Sequence, residues 1–260
     1  MFDSHCHFIN VQDSSCLHNI KNTQESSYQS FIDNPNNKFI CVSTHRAEWS
    51  KVIALHDKYP NIYSLLGIHP WFVEDDWQDD LLLMQDLLNV NSIVGLGEIG
   101  LDFSKKYKSN FNHQIDCFSA QLNIAEAYSK PVSLHVIKAH NEMLTLLKSV
   151  NVNGVIHGIG SSIQIAQQYI DIGYKLGVNG VSVRDNAARY HKLISYFGIE
   201  HIVLETDFPN VTLPHHQCCE LNDIETIAQF VADKLSLPLE KTISMTENNT
   251  NYIFNLSSES

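Results

Sequence analysis

The sequence predicts an α/β protein built as a single (β/α)8 barrel of the TIM type with an additional C-terminal helix, and three observations carry that prediction. Eight short apolar runs recur along the 260-residue chain, each followed by a segment that can be helical. Most of these runs are continuous rather than alternating, as strands buried on both faces of a parallel sheet are. Eight strand–helix units in this length suit a closed barrel better than an open doubly wound sheet. No linker, low-complexity segment or composition shift divides residues 1–260, so one domain is expected.

The units can be taken in order. Met1 to Cys6 reads as strand one, and a Ser/Asn-rich polar stretch to Asn37 as loop and helix. Strand two spans Phe39 to Val42. Its helix runs from Glu48 to Lys58, with Val52, Leu55 and Tyr59 at helical spacing. Ile62 to Leu66 is strand three, leading into Gly67-Ile68-His69-Pro70-Trp71, and Asp80 to Leu88 is helical. Strand four covers Ile93 to Gly97 and runs into Glu98. A long helix from Asn112 to Tyr128 is stopped by Lys130-Pro131. Val132 to Leu134 is strand five, ending at His135, with Asn141 to Val150 as its helix. Strand six, Gly154 to Ile156, ends at His157, and Ser161 or Ser162 can cap the helix that runs to Asp171. Tyr174 to Val178 is strand seven, followed by helix Asp185 to Phe197. Ile202 to Leu204 is strand eight, ending at Glu205-Thr206-Asp207. Helices from about Asn222 to Leu235 and from Glu240 to Phe254 close the chain.

Composition narrows the function classes. Hydrophobic content of 43% with 18% charged residues is ordinary for a globular protein, and no apolar run approaches the roughly 18 residues of a membrane span. Nothing at the start reads as a signal peptide, so a cytoplasmic location is expected. The six cysteines, Cys6, Cys16, Cys41, Cys117, Cys218 and Cys219, form no C-x-x-C pair and read as mostly free, buried thiols. A net charge of −12 argues against the broad basic surface of a nonspecific nucleic-acid binder. Any polyanionic substrate must then be held locally, and two divalent cations would bring about four positive charges to one point.

The chemistry lies in where the metal-capable residues fall. His5 and His7 leave strand one, and at i and i+2 their imidazoles share one strand face. Glu98 leaves strand four, His135 strand five, His157 strand six and Asp207 strand eight. In a barrel all these carboxyl ends meet at one mouth, where active sites of this fold are built. A single histidine after a strand is an ordinary loop residue, but convergence from five strands points to a metal site. Glu98 would be a carboxylate buried among carbonyls unless paired, and coordination solves that problem. Asp102 reads as a turn or cap residue, or at most as support for the ligands. His215-His216-Gln217-Cys218-Cys219 lacks the two-plus-two spacing of a structural zinc site. Gly158-Ile159-Gly160 lacks the Gly-Lys-Ser/Thr of a phosphate loop and fits close backbone approach instead.

Taken together these residues resemble the TatD family of metal-dependent deoxyribonucleases, within the amidohydrolase-like barrels. The resemblance lies in Asp3-Ser4-His5-Cys6-His7, Gly67-Ile68-His69-Pro70, Gly97 to Phe103, Pro131 to His135, Gly154 to His157, Leu204 to Pro209 and Thr246-Glu247-Asn248-Asn249 to Phe254. It implies a binuclear site in which His5, His7 and Asp207 hold one divalent ion, His135 and His157 hold the other, and Glu98 bridges. It places His69 near the scissile phosphate and implies DNA, single-stranded or at strand ends, as the partner. A His-rich donor set suits zinc or manganese, whereas magnesium prefers oxygen ligands and waters. Asp207, the terminal carboxylate of the set, is the expected proton acceptor, and Trp71 either stacks on a base or packs at the rim. Two departures bear on substrate: Ile137, beside Lys138, stands where the family commonly has Arg, and Gly158-Ile159-Gly160-Ser161 replaces its usual Cys-Phe-Ser-Gly. Such a mouth is compatible with a small-molecule amide or ester hydrolase of the same superfamily. It is also compatible with the TatD-like subunits of Qat-type anti-phage systems, which act with protein partners.

Overall fold

The computed structural model describes residues 1–9 and 29–256. Its eight strands are β1 (Phe2–Cys6), β2 (Lys38–Cys41), β3 (Ile62–Leu66), β4 (Ile93–Asp102), β5 (Val132–Ile137), β6 (Gly154–Ile156), β7 (Lys175–Val178) and β8 (Ile202–Leu204). They pair in parallel in chain order. Hydrogen bonds just past the strand ends, His7 N to Phe208 O at 2.7 Å and Asp207 N to His5 O at 3.0 Å, draw the first strand to the last and bring the sheet round as a TIM barrel. The intervening helices are α1 (Arg46–Lys58), α2 (Trp77–Val90), α3 (Phe111–Ala127), α4 (His140–Leu147), α5 (Ile163–Asp171), α6 (Ala188–Phe197) and α7 (Asp223–Leu235), and α8 (Leu239–Ile253) follows. The loop-and-helix stretch expected after β1 lies outside the described residues for positions 10–28, and residues 29–33 are helical.

Most boundaries agree with the apolar runs, with two informative exceptions. β4 continues past Gly97 to Asp102, and β5 continues past Leu134 to Ile137. Glu98 and His135 therefore sit within long strands rather than beyond short ones. The apolar-run criterion stops at the first polar residue, whereas backbone pairing does not.

Three register shifts interrupt the regular pleat. One falls in β1 between Asp3 and Cys6 against β2, and two fall in β4, between Ile93 and Gly95 against β3 and between Leu96 and Ile99 against β5. In each case the β1 or β4 segment has one residue more than its neighbour, which resets the inward and outward alternation. Phe2 belongs to an apolar cluster with Ile40, Leu65, Val155 and Val203, while Cys6 packs in the layer shared with the helices. Ile253 and Phe254, at the end of α8, join the Phe2 cluster. Asn249 ties α8 to the approach to β8, donating from Nδ2 to Ile199 O at 2.9 Å and Ile202 O at 2.7 Å.

Candidate metal centre

The polar end of the barrel begins one layer above that apolar plug. His5 Nδ1 lies 2.9 Å from Ser133 Oγ, which turns Nε2 toward the mouth, 3.2 Å from His7 Nε2. Asp3 holds the strand end beneath them. Its carboxylate accepts from His5 N at 3.2 Å, Thr206 N at 3.0 Å and Thr206 Oγ1 at 2.6 Å, stitching β1 to the segment after β8. Burial pushes Asp3 up to about 7 against those bonds.

Glu98 is the centre of the arrangement, buried, with its two oxygens facing different partners. Oε2 lies 3.5 Å from His5 Nε2 and 3.4 Å from His7 Nε2. Oε1 lies 3.1 Å from His135 Nδ1, 3.6 Å from His69 Nε2 and 3.9 Å from His157 Nε2. Asp207 closes the other side: Oδ1 is 3.4 Å from His7 Nε2 and Oδ2 is 3.8 Å from His157 Nε2. Among the described residues, three groups have donor atoms within 4.8 Å of one another: His5 with His7 and Glu98, His69 with Glu98 and His135, and His5 with His157 and Glu205. The structure thus brings together all seven site residues expected from the sequence. It differs from the implied pairing in grouping His69 rather than His157 with Glu98 and His135, while His157 groups with His5 and Glu205.

Glycine makes this approach possible. A Cβ on Gly67 would meet the Gly97–Glu98 backbone at 2.7 to 2.8 Å, so any larger residue would force β4 away from the mouth.

The electrostatics follow from burial and crowding. Burial alone would raise Glu98, but the imidazoles of His69, His5 and His135 hold it well below the usual carboxylate range. Asp207 is likewise lowered, by His157 and His7 against burial. Burial, with His135 and His7 nearby, pushes His69 down to about 3 despite Glu98. His157 goes the other way, up to about 10, because Glu205 and Asp207 outweigh its burial.

Glu205 escaped the sequence reading. It is fully buried, and its Oε1 lies 2.9 Å from His157 Nδ1 while accepting from Gly158 N at 2.7 Å and Asn179 Nδ2 at 3.3 Å. This carboxylate fixes the face that His157 turns to the mouth, the arrangement typical of metal-ligating histidines. A carboxylate directly after the buried run Ile202–Leu204 was the available signal, the same one that marked Glu98.

The remaining candidates separate cleanly. Asp102 supports the rim, with Oδ2 accepting from Trp71 Nε1 at 2.6 Å and lying 3.9 Å from His135 Nε2, while Oδ1 accepts from Ser104 N at 2.8 Å. His216 pairs with Asp223 at 3.1 Å, and no metal-holding group includes residues 215–219 among the described residues. At Gly160 a Cβ would meet the Tyr190 ring at 2.7 Å, which is the close approach expected there. Cys6, Cys41, Cys117 and Cys219 are buried free thiols, and Cys218 is half-buried.

The donor set fits divalent metal ions. The Nε2 atoms of His5 and His7 face each other at 3.2 Å and both face Glu98 Oε2, while His135 Nδ1 faces Glu98 Oε1. Imidazoles and carboxylates packed this way leave nitrogen lone pairs and buried negative charge that a cation would satisfy. A barrel of this kind, with such a cluster at its carboxyl end, defines the class: a metal-dependent hydrolase. Comparison supplies the family, since residues 2–255 match the profile described as TatD related DNase. The chain belongs to the TatD family. It is 30% identical to the metal-dependent hydrolase YjjV of Escherichia coli K12 over 261 residues, 98% of this chain and 97% of that one. The crystal structure of YjjV superposes with a TM-score of 0.86 at 27% identity, covering 99% of this chain and 98% of that chain. A relative named 3'-5' ssDNA/RNA exonuclease TatD, from Salmonella typhimurium, is 28% identical over 177 residues, 65% of this chain and 66% of the relative. Among the described residues, no helix is long and apolar enough to cross a membrane.

Proposed function

We propose that this protein hydrolyses phosphodiester bonds in DNA, single-stranded or at strand ends, at a binuclear metal site. The observation that carries the reading is the two-sided environment of Glu98, one oxygen toward His5 and His7 and the other toward His135, His69 and His157. In it His5, His7 and Asp207 would hold one divalent ion and His135 and His157 the other, with Glu98 shared and His69 left to the substrate, and zinc or manganese would suit the nitrogen-rich donors. Bound ions of this kind acidify water and neutralise phosphate oxygens. The chain's own residues do the rest. Asp207, the terminal carboxylate of the set, accepts the proton of the attacking water, and Asn210 Nδ2 steadies it by donating to its Oδ1 at 3.0 Å. His69, neutral at ordinary pH, lies beside Glu98 as a hydrogen-bonding group for a phosphate oxygen. Asp3 and Glu205 keep the backbone of His5 and the ring of His157 in place.

The test is a labelled-oligonucleotide time course with metal-replete protein, expected to show cleavage that EDTA and Glu98→Ala both silence. Intact DNA and RNA after prolonged incubation with replete protein would refute the reading. A second reading, hydrolysis of a small amide or ester, draws on one feature of the mouth. Ile137, at the end of β5 and partly exposed, offers no charge to a phosphate. A panel of such substrates run beside DNA separates the two.

A further inference from the structure

Beside the metal centre, Pro70–Phe72 forms one 3₁₀ turn, so successive side chains leave it in different directions. Trp71 and Phe72 are 48% and 41% exposed, yet both rings are held. Trp71 lies nearly parallel to Tyr107, with centroids 5.6 Å apart and planes at 17°, and Phe72 nearly parallel to His45 at 4.6 Å and 21°. The Trp71 ring is further fixed by its bond to Asp102. His69 meets the Trp71 ring edge-on at 4.8 Å, while its Nε2 is 3.6 Å from Glu98. A flat, pre-set aromatic surface therefore adjoins the group that borders the reacting centre.

Charge changes sign at the same place. Tyr107 sits on the turn Lys105–Asn110, where Lys105, Lys106 and Lys108 are exposed, and no acidic residue stands between Asp102 and Asp116. In a chain of net charge −12 this stretch is basic, and the exposed acidic run Glu74-Asp75-Asp76 borders it on the Phe72 side. The Lys106 ammonium lies 4.9 Å from the Tyr107 centroid and 5.6 Å from that of Trp71. At 5.6 Å and 17° the two rings stack on one another, so a base cannot enter between them and instead lies on the outer face of the pair, with the second ring holding the first flat.

Exposed π-faces joined to ammonium groups match a chain whose bases are unstacked and whose backbone is anionic. A base-paired duplex hides its base faces, and a small amide or ester has neither feature. We infer that Trp71 and Tyr107, with Lys106, form a base-stacking subsite that seats one nucleotide of a single strand next to the scissile bond. This rests on the phosphodiesterase reading above and assigns the subsite that would make it strand-selective.

Steady-state cleavage of a labelled ten-nucleotide single strand by the metal-loaded full chain tests it, using Trp71→Ala, Tyr107→Ala and Lys106→Ala, with Lys148→Ala as a remote control. KM is expected to rise about tenfold or more for Trp71→Ala and Tyr107→Ala and less for Lys106→Ala, with kcat changing far less, as loss of a stacking contact requires. Tyr107→Ala is the decisive variant, because it leaves the bond between Trp71 and Asp102 intact. An unchanged KM in Tyr107→Ala overturns the subsite while leaving the hydrolytic reading standing. If the chain cleaves no phosphodiester, the same oligonucleotide is titrated against tryptophan fluorescence. Saturable quenching that Trp71→Phe abolishes upholds the subsite without the hydrolysis, and no quenching overturns it.

Discussion

Glu98 divides its two oxygens between His5 and His7 on one side and His135, His69 and His157 on the other, which makes single-residue loss informative. Replacing His5 and His7 together with alanine removes the nitrogens from one side only. One ion per chain should then remain by mass spectrometry, and loss of both would show that the two positions are not separable. Glu205→Gln tests support rather than coordination. It keeps the side-chain volume but weakens the grip on His157 Nδ1 at 2.9 Å, and metal affinity in a chelator competition should fall roughly 10- to 100-fold. Of these residues the sequence revealed those whose types are rare after strands, His5, His7, His135 and His157, because convergence at one mouth multiplies weak signals. Glu205 and Asp3 stayed hidden because they stand beside recognised ligands and act through them. Their partners, Thr206, Gly158 and Asn179, come from chain segments that only folding brings near.

Strands and helices were legible wherever burial demanded continuous apolar runs. What was not legible is the set of register shifts, in β1 at residues 3–6 and in β4 at residues 93–95 and 96–99. Alternation read from composition assumes a regular pleat, and a bulge changes the face of every later side chain without changing a residue type. The ends of β4 and β5 were cut short for a related reason, since Glu98 and His135 are polar residues paired by backbone alone. The C-terminal helix invites a direct test. Asn249→Ala removes the two donations that hold α8 to the start of β8, and the cost should be about 1 kcal/mol, lowering Tm by roughly 2–4 °C in a thermal melt. An unchanged melt would mean that the packing of Ile253 and Phe254 and the pair of Glu247 with the Met1 ammonium at 2.8 Å hold the helix without Asn249.

At the scale of the molecule, the parallel barrel unites two zones that need each other. Apolar side chains from β1, β2, β3, β6 and β8 fill one end with Ile253 and Phe254, and charged groups crowd the other. Leu65→Ala, in the filled end, should destabilise the fold by roughly 2–5 kcal/mol in denaturant titration through the cavity it leaves. In the crowded end the folded state alone presents the assembled donors, so ions stabilise it by mass action, and EDTA should lower Tm as well as halt cleavage. The fold class was legible from eight repeats in 260 residues. The electrostatic cost of the mouth was not, since it depends on distances among groups far apart in the chain. The most direct test of the account is the count of bound metal per chain after saturation with manganese or zinc and removal of free ion. The wild type should carry two ions and Glu98→Ala fewer. A saturated wild type holding one ion or none, or Glu98→Ala still holding two, would contradict a binuclear centre bridged by Glu98.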